Sequence, residues 1–311
     1  MIGHRVVHGG PDFAAPVLVN AAVLRRLEEF VALAPLHQPH NLSGIRAAAA
    51  HFPGVAQVVC FDTAFHQGRD WEAETFALPP RFYAAGIRRY GFHGLSYEYV
   101  SRQLAAEQPD LGRGRLIIAH LGNGASLCAI REGRSVDTSM GFTALDGVPM
   151  GTRSGQIDPG VLLHLMRSEG MTGEDLSRLL YSESGLKGMS GLSQDVRELE
   201  ASRRPEAASA LSHFAFRVRR EIGALATSLG GIDALIFAAG IGENAPALRA
   251  RICENLEFLG IRLDPVRNLA NAPRISADDA PVQVLVRHTD EERMIAEHAL
   301  GLLGAPTTAA A

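Results

Sequence analysis

The chain has 311 residues, 46% hydrophobic and 21% charged, which is enough for two domains with sizeable cores. A net charge of −4 without a strongly basic stretch argues against a nucleic-acid surface, which needs clustered Lys and Arg. Three scattered cysteines, Cys60, Cys128 and Cys253, give neither a disulfide framework nor metal-ligand spacing, and no apolar run approaches the roughly 20 residues of a membrane helix.

The opening MIGHRVVHGG lacks the charged-then-apolar layout of a signal peptide, so a cytoplasmic protein that binds neither membrane nor nucleic acid is expected. Residues 5–10 read as a strand end running into a loop. Residues 19–34 and 42–51 carry apolar residues at helical spacing, with a turn-rich connection at 36–41. Residues 55–61, VAQVVCF, form a short buried strand with Asp62 at its carboxyl end, where open α/β sheets bind ligands. The segment 64–94 is irregular, and a helix follows over 96–107. Strands at 116–119, 125–131 and 135–140 are joined by turns at Gly122-Asn123-Gly124 and Glu132-Gly133, a specific hairpin signal because such turns need positive φ. Helices are predicted over 160–170, 175–182, 195–203 and 206–229, with a Gly/Ser loop at 187–194. A buried strand at 234–239 runs into the glycine-rich turn 240–244 and a helix over 245–259. Short strands at 261–263 and 282–286 precede a last helix at 289–303, for which Thr289 and Glu292 make a capping box.

Two glycine-rich turns are candidates for chemistry. Backbone N–H groups around Gly122 and Gly124, with Asn123, can converge on an anion, although a lone Gly-Asn-Gly is more often a plain hairpin. Residues 240–245 have the form G-x-G-x-x-A between a strand and a helix, a placement that suits an anion or nucleotide at a helix N-terminus. The same residues fit a dinucleotide fingerprint, with Asp264 about 20 residues on. Too few strand–helix units follow for a full dinucleotide domain. No Walker A run, protein-kinase motif set, H-E-x-x-H or G-x-S-x-G occurs. The charged candidates are Arg5, Asp62, His93, His120, Arg153, Asp195, Arg197 and Glu291. Each has an ordinary alternative as a surface ion pair, a cap or a core histidine.

Taken together, GHRVVHGG at 3–10, LAPLHQPHN at 33–41, FDTAFH at 61–66, YGFHGLSY at 90–97, AHLGNGAS at 119–126, SVDTSMGFTALDGVPMGTRSGQIDPG at 135–160, GIGENAP at 240–246 and TDEERMIA at 289–296 closely resemble the acetate kinase (acetokinase) family. The resemblance runs nearly end to end with the blocks in the family's order.

It implies an α/β fold of two domains, ribonuclease H-like, as in the sugar kinase, actin and heat-shock chaperone ATPase superfamily. The first domain would be residues 1–63 plus 290–311, and the second 64–289. It implies reversible, Mg2+-dependent phosphoryl transfer between ATP and acetate, giving ADP and acetyl phosphate, with Mn2+ as an alternative metal and a homodimer as the assembly. Carried over residue by residue, it makes Asp62, His93 and Arg153 catalytic and Glu291 a metal ligand. Arg5, Val7, Leu36 and Phe92 would bind the carboxylic acid, with His37 and His120 near the same site. His120, Leu121, Gly122, Asn123, Gly124, Asp195, Val196, Arg197, Gly240, Ile241, Gly242, Glu243 and Asn244 would contact the nucleotide.

Acetate is ionised at neutral pH, its pKa being near the ~4.3 of a Glu side chain, so no general base is needed. Positioning and charge stabilisation then dominate. Two departures from the family pattern matter. Ala144 stands where the family has a proline lining the methyl pocket, which favours propionate or butyrate as alternative substrates. The family also opens with a further strand and an N-x-G-S-S-S-x-K phosphate turn that precedes anything in this chain. The resemblance therefore implies an incomplete first domain, and a nucleotide-binding homologue without turnover is the alternative to an active kinase.

Overall fold

In the computed structural model, which describes residues 1–34 and 37–304, tertiary contacts divide the chain into two units. The first comprises residues 1–103 with the segment from 289 onward, and the second residues 104–288. The segment 64–103 thus groups with the first unit, not with the second as the sequence suggested. Bonds to residues 1–63 accompany this: the Gly94 amide donates to the Asp62 carbonyl at 2.8 Å, and Gln67 Nε2 donates to the Gly10 carbonyl at 2.9 Å.

The first unit is built on a three-stranded sheet. Strand β3 (Gln57–Phe61) lies between β1 (Ile2–Val6), parallel to it, and β2 (Val17–Leu18), antiparallel to it. Every residue of β3 is buried, the polar Gln57 included, and the apolar run 58–61 accounts for the other four. Helices α1 (Ala21–Glu29) and α2 (Gln38–His51) cover the sheet, and Leu27, Phe30, Leu42 and Ile45 join Val6, Val59 and Phe61 in one core. Asn20 caps α1, its Oδ1 accepting from the Val23 amide at 2.9 Å. Helix α2 starts four residues before the predicted one. Its buried Gln38 donates to the carbonyls of His8 and Leu27, a tertiary anchor with no periodic signature. Short helices α3 (Trp71–Glu74) and α4 (Pro80–Ala84) occupy the segment that sequence left irregular, and α5 (Gly94–Glu107) follows. The last helix, α15 (Glu291–Gly304), packs on β1 so closely that a Cβ on Gly3 would lie 2.4 Å from Ile295 Cγ2. Its cap is Asp290, whose Oδ1 accepts from the Arg293 amide, while Thr289 donates its hydroxyl to Ser96. The predicted Thr289–Glu292 capping box is therefore replaced.

The second unit carries a five-stranded sheet in the order β6-β5-β4-β7-β8, the strand order of a ribonuclease H-like domain. After α6 (Pro109–Gly112), β4 (Arg115–Leu121), β5 (Ala125–Arg131) and β6 (Arg134–Thr138) form the two predicted antiparallel hairpins. Glu132 and Gly133 both take positive φ, 51° and 71°, as a two-residue hairpin turn requires. Strand β4 also pairs in parallel with β7 (Ala234–Ala238), and β7 with β8 (Gln283–Val286). Helices α7 (Pro159–Ser168), α8 (Gly173–Ser182), α9 (Gly185–Ser190) and α10 (Val196–Ala201) lead to α11 (Pro205–Leu229). Helix α11 buries Leu211, Phe214, Val218, Ile222 and Leu225, and ends at Gly230 in the left-handed region.

Two predicted loops in this unit are helical. Residues 185–190 form α9, where Gly185 at φ 62° has room for no side chain, its Cβ falling 2.2 Å from the Met150 carbonyl. Residues 239–244 form the short helix α12 (Ala239–Asn244), followed by α13 (Pro246–Cys253) and α14 (Pro265–Leu269). The strand expected at 261–263 is reduced to an isolated bridge, Leu263 to Ser276. Asp264 caps α14 through the amides of Val266 and Arg267, which accounts for the acid that the dinucleotide reading had used.

Candidate active site

In the first unit, three charges gather where β1 and β3 end. Asp62 follows β3 directly and is 2% exposed. Arg5 on β1 grips it in a two-point fork, Nε to Oδ1 at 2.9 Å and Nη2 to Oδ2 at 2.8 Å. Its Nη1 lies 3.4 Å from Glu291 Oε2. The Asp62 charge raises the Arg5 pKa above its ordinary value. Burial raises that of Glu291, which the Arg5 cation opposes and the Asp62 anion reinforces. Two carboxylates thus share one guanidinium, and a further cation would relieve the acid whose ionisation is penalised.

His93 is held beside Asp62 by the backbone. A Cβ on Gly94 would fall 2.3 Å from the Asp62 carbonyl oxygen, so only glycine allows this approach. His93 itself sits at φ 59°, a left-handed conformation uncommon outside glycine and often found at functional sites. Phe92 is buried, and its carbonyl meets His66 Nε2. Val7 is half-buried, and its amide donates to Asn41 Oδ1 at 3.1 Å. Leu36 lies outside the described residues.

The sequence reading missed His8. It is 0% exposed, its Nδ1 accepts from the Gly10 amide at 2.9 Å, and its Nε2 has no hydrogen-bond partner among the described residues. Its ring stands edge-on to Tyr90, with centroids 4.4 Å apart. Burial pulls its pKa down to about 4. Only its position in the His-Gly-Gly run after β1 marks it in the sequence.

In the second unit, His120 on β4 is level with Ala238 on β7, so the first hairpin turn and α12 leave the same end of the sheet. A cleft of about 460 Å³ opens there. Gly122 and Asn123 line it from the hairpin, Asp195, Val196 and Arg197 from the start of α10, and Gly240, Ile241 and Asn244 from α12. Gln194, Glu200 and Ala245 also line it. Glu200 was legible in principle, because it lies four residues after Val196 on one helix face. The predicted residues His120, Leu121, Gly124, Gly242 and Glu243 are not among the lining ones. His120, Leu121 and Gly242 are buried, and Glu243 meets His288 Nδ1 at 3.0 Å. The Gly122 amide, which the sequence offered to an anion, donates within the turn to the Gly124 carbonyl. Asp195 caps α10 and also takes the Arg197 guanidinium, and these bonds hold its pKa down to about 2.

Arg153 is half-buried elsewhere in the same unit and is not among the cleft's lining residues. Its Nη1 donates to the Ala144 carbonyl at 3.1 Å and lies 3.6 Å from Met150 Sδ. Burial pulls its pKa below the usual arginine value, and among the described residues no carboxylate pairs with it. Such a cation is suited to an anionic ligand. Among the described residues no cluster of three or more His, Cys, Asp or Glu is placed to hold a metal ion. None of the described helices is long and apolar enough to cross a membrane.

The sequence profile of the acetokinase family matches residues 1–297. The chain is 56% identical over 302 residues to an acetate kinase of Nitrobacter hamburgensis, covering 97% of this chain and 75% of that protein. It is 49% identical over 315 residues to a propionate kinase of Citrobacter rodentium, covering 100% of this chain and 78% of the relative. Its fold is similar to the crystal structure of Porphyromonas gingivalis acetate kinase, with a TM-score of 0.91 at 41% identity, covering 97% of this chain and 77% of the other.

Proposed function

The chain belongs to the acetokinase family and is a phosphotransferase of that kind, and we propose that it moves the γ-phosphoryl group of ATP reversibly onto the carboxylate of acetate, giving acetyl phosphate and ADP. The observation that carries the nucleotide half of this reading is the 460 Å³ cleft, where three sequence-distant segments meet. Polyphosphate and ribose are the kind of ligand that glycine-rich turns and a polar helix start accommodate.

The acceptor carboxylate arrives ionised, so no residue has to remove a proton from it. One of its oxygens forms the new P–O bond while the bond to the ADP oxygen breaks. The obstacle is the approach of one anion to another, and fixed positive charge is the remedy. Arg5 and Arg153 are assigned to the acid and to the transferring group, and His93 to the charge that develops on its oxygens. The two-point fork holds Arg5 rigidly, and the carbonyl of Ala144 orients Arg153. Val7 and Phe92 are assigned to the apolar end of the acid.

The residues fit a divalent metal of the magnesium type. Asp62 and Glu291 already share one cation, and burial penalises the charge of Glu291. Mg2+ is commonly held by one or two carboxylates, with water and substrate phosphate completing its shell. When bound, it would neutralise charge on the transferring phosphoryl group. Asp62 serves in this reading as a ligand and as the anchor of Arg5.

Propionate is the second reading. Ala144 is small, and similarity extends to a propionate kinase. A homodimer is also proposed. Helix α7 buries none of its residues although Val161, Leu163 and Met166 are 41%, 50% and 48% exposed, an arrangement that suits a second copy of the chain. A cytoplasmic setting fits Cys60, Cys128 and Cys253, which are buried and not in disulfides.

Trapping of the acyl phosphate with hydroxylamine tests the reaction. Hydroxamate that depends on ATP, Mg2+ and acetate or propionate is expected, and Asp62→Asn should abolish it. ATP hydrolysis without hydroxamate would refute the assignment.

A further inference from the structure

Arg249 on α13 is the bulkiest fully buried side chain among the described residues, at 1% exposed, and the proposed reaction does not use it. A guanidinium has five N–H donors. Nη1 donates to the carbonyls of Gly242 at 2.8 Å and Glu243 at 2.9 Å. Nε donates to Asn268 Oδ1 at 2.9 Å, and Nη2 to the Asn268 carbonyl at 2.9 Å and to Asn271 Oδ1 at 2.5 Å. Every donor is used and every acceptor is neutral. Among the described residues no carboxylate pairs with this cation, and burial pulls its pKa down to about 10. A buried charge without a counter-ion is costly, so its retention calls for a compensating role.

The local backbone indicates that role. In a continuing helix the Gly242 carbonyl would accept from the amide of residue 246, but that residue is Pro246 and has no N–H. Arg249 supplies the missing donor and a second one for Glu243. The remaining carbonyls of the turn are met locally, Gly240 by Asn244 Nδ2 at 2.9 Å and Ile241 by the Ala245 amide at 3.0 Å. Asn268 in turn donates to the Pro246 carbonyl at 2.8 Å, which sews the α12–α13 junction to α14. The carbonyls of Gly242 and Glu243 thus meet Arg249, while Gly240, Ile241, Asn244 and Ala245 face the cleft.

We propose that Arg249 is a positioning residue for the nucleotide: it fixes the α12 turn that walls the cleft and keeps an uncompensated positive charge one turn away from it. This rests on the cleft being the nucleotide site. Arg249→Lys keeps the charge but offers three donors in place of five. Asn271→Gly removes a single acceptor at a residue whose φ of 49° glycine adopts without strain, so the fold should survive.

The test measures ADP and ATP binding by calorimetry, KM for each substrate and Tm, on the full chain. Arg249→Lys should raise nucleotide Kd and KM about tenfold, the equivalent of one lost hydrogen bond's ordering, with KM for the acid changed less than about twofold. Asn271→Gly should move nucleotide Kd in the same direction by a smaller factor. A lower Tm with unchanged nucleotide Kd in the folded variants would overturn the proposal, and should Arg249→Lys fail to fold, Asn271→Gly decides alone. A wild-type chain that binds neither nucleotide would instead remove the cleft reading itself.

Discussion

Gly94→Ala tests whether the backbone contact behind Asp62 sets the geometry of the acidic site. The added Cβ would lie 2.3 Å from the Asp62 carbonyl oxygen and 2.8 Å from Phe65 Cβ. Carbon–oxygen contacts normally begin near ~3.3 Å, so the two segments must part by roughly 1 Å. The obstructing oxygen is backbone and cannot swing aside as a flexible side chain would. The Gly94 amide bond to that oxygen, 2.8 Å long, would stretch with it. The displacement falls on His93, the preceding residue, and on Asp62. A misplacement of about 1 Å can cost about 100-fold in rate, or ~2.7 kcal/mol of barrier. Overpacking adds a stability loss of ~1–3 kcal/mol. Hydroxamate trapping gives kcat for the variant, and a thermal melt gives the fraction folded. A kcat within about twofold of wild type, in folded protein, would refute the argument that this contact positions the site.

Acid should weaken the first unit through His8. Its folded pKa of about 4 lies below the ordinary 6.5, so between those values the unfolded chain takes up a proton that the fold refuses. Stability is complete above the higher value and falls as pH drops through the window, by up to ~3 kcal/mol for this 0%-exposed ring. The single tryptophan, Trp71, lies in the same unit and can report urea midpoints across this range, and His8→Gln should flatten the slope. Ala144→Pro should raise the acetate-to-propionate ratio of kcat/KM by about tenfold, since one methylene in an apolar pocket is worth ~1–3 kcal/mol. An unchanged ratio would show that residue 144 does not touch the acyl chain. If the proposed dimer forms through α7, wild type should sediment as a dimer at moderate concentration and Leu163→Glu as a monomer, and a wild-type monomer would dispose of the α7 interface.

What the sequence determined by itself is local or periodic. Both hairpins of β4, β5 and β6 form where their turn residues lie, but the steric demand for positive φ is met only by Glu132 and Gly133. Gly122, Asn123 and Gly124 are not among the positive-φ residues, and the three-residue turn they make is closed instead by the Gly122 amide donating to the Gly124 carbonyl. The buried strand β3 and the long helix α11 followed from runs and spacing of apolar residues. The motif blocks identified the family because their order and residue types are specific even without contacts. Tertiary structure decided the rest. Residues 240–244 contain two glycines and precede a proline, so nothing local favours a helix; Arg249 makes α12 possible by supplying donors from within the next helix. Residue 185, at the start of α9, has to be glycine because the Met150 carbonyl leaves no room for a side chain there. Gly94 against Asp62, not composition, draws 64–103 into the first unit. Asp290 displaced Thr289 as the cap once Ser96 claimed the Thr289 hydroxyl. In each case the deciding partner is a backbone oxygen, a guanidinium or a hydroxyl brought close by folding, and such partners leave no mark on the pattern of residues around the site they control.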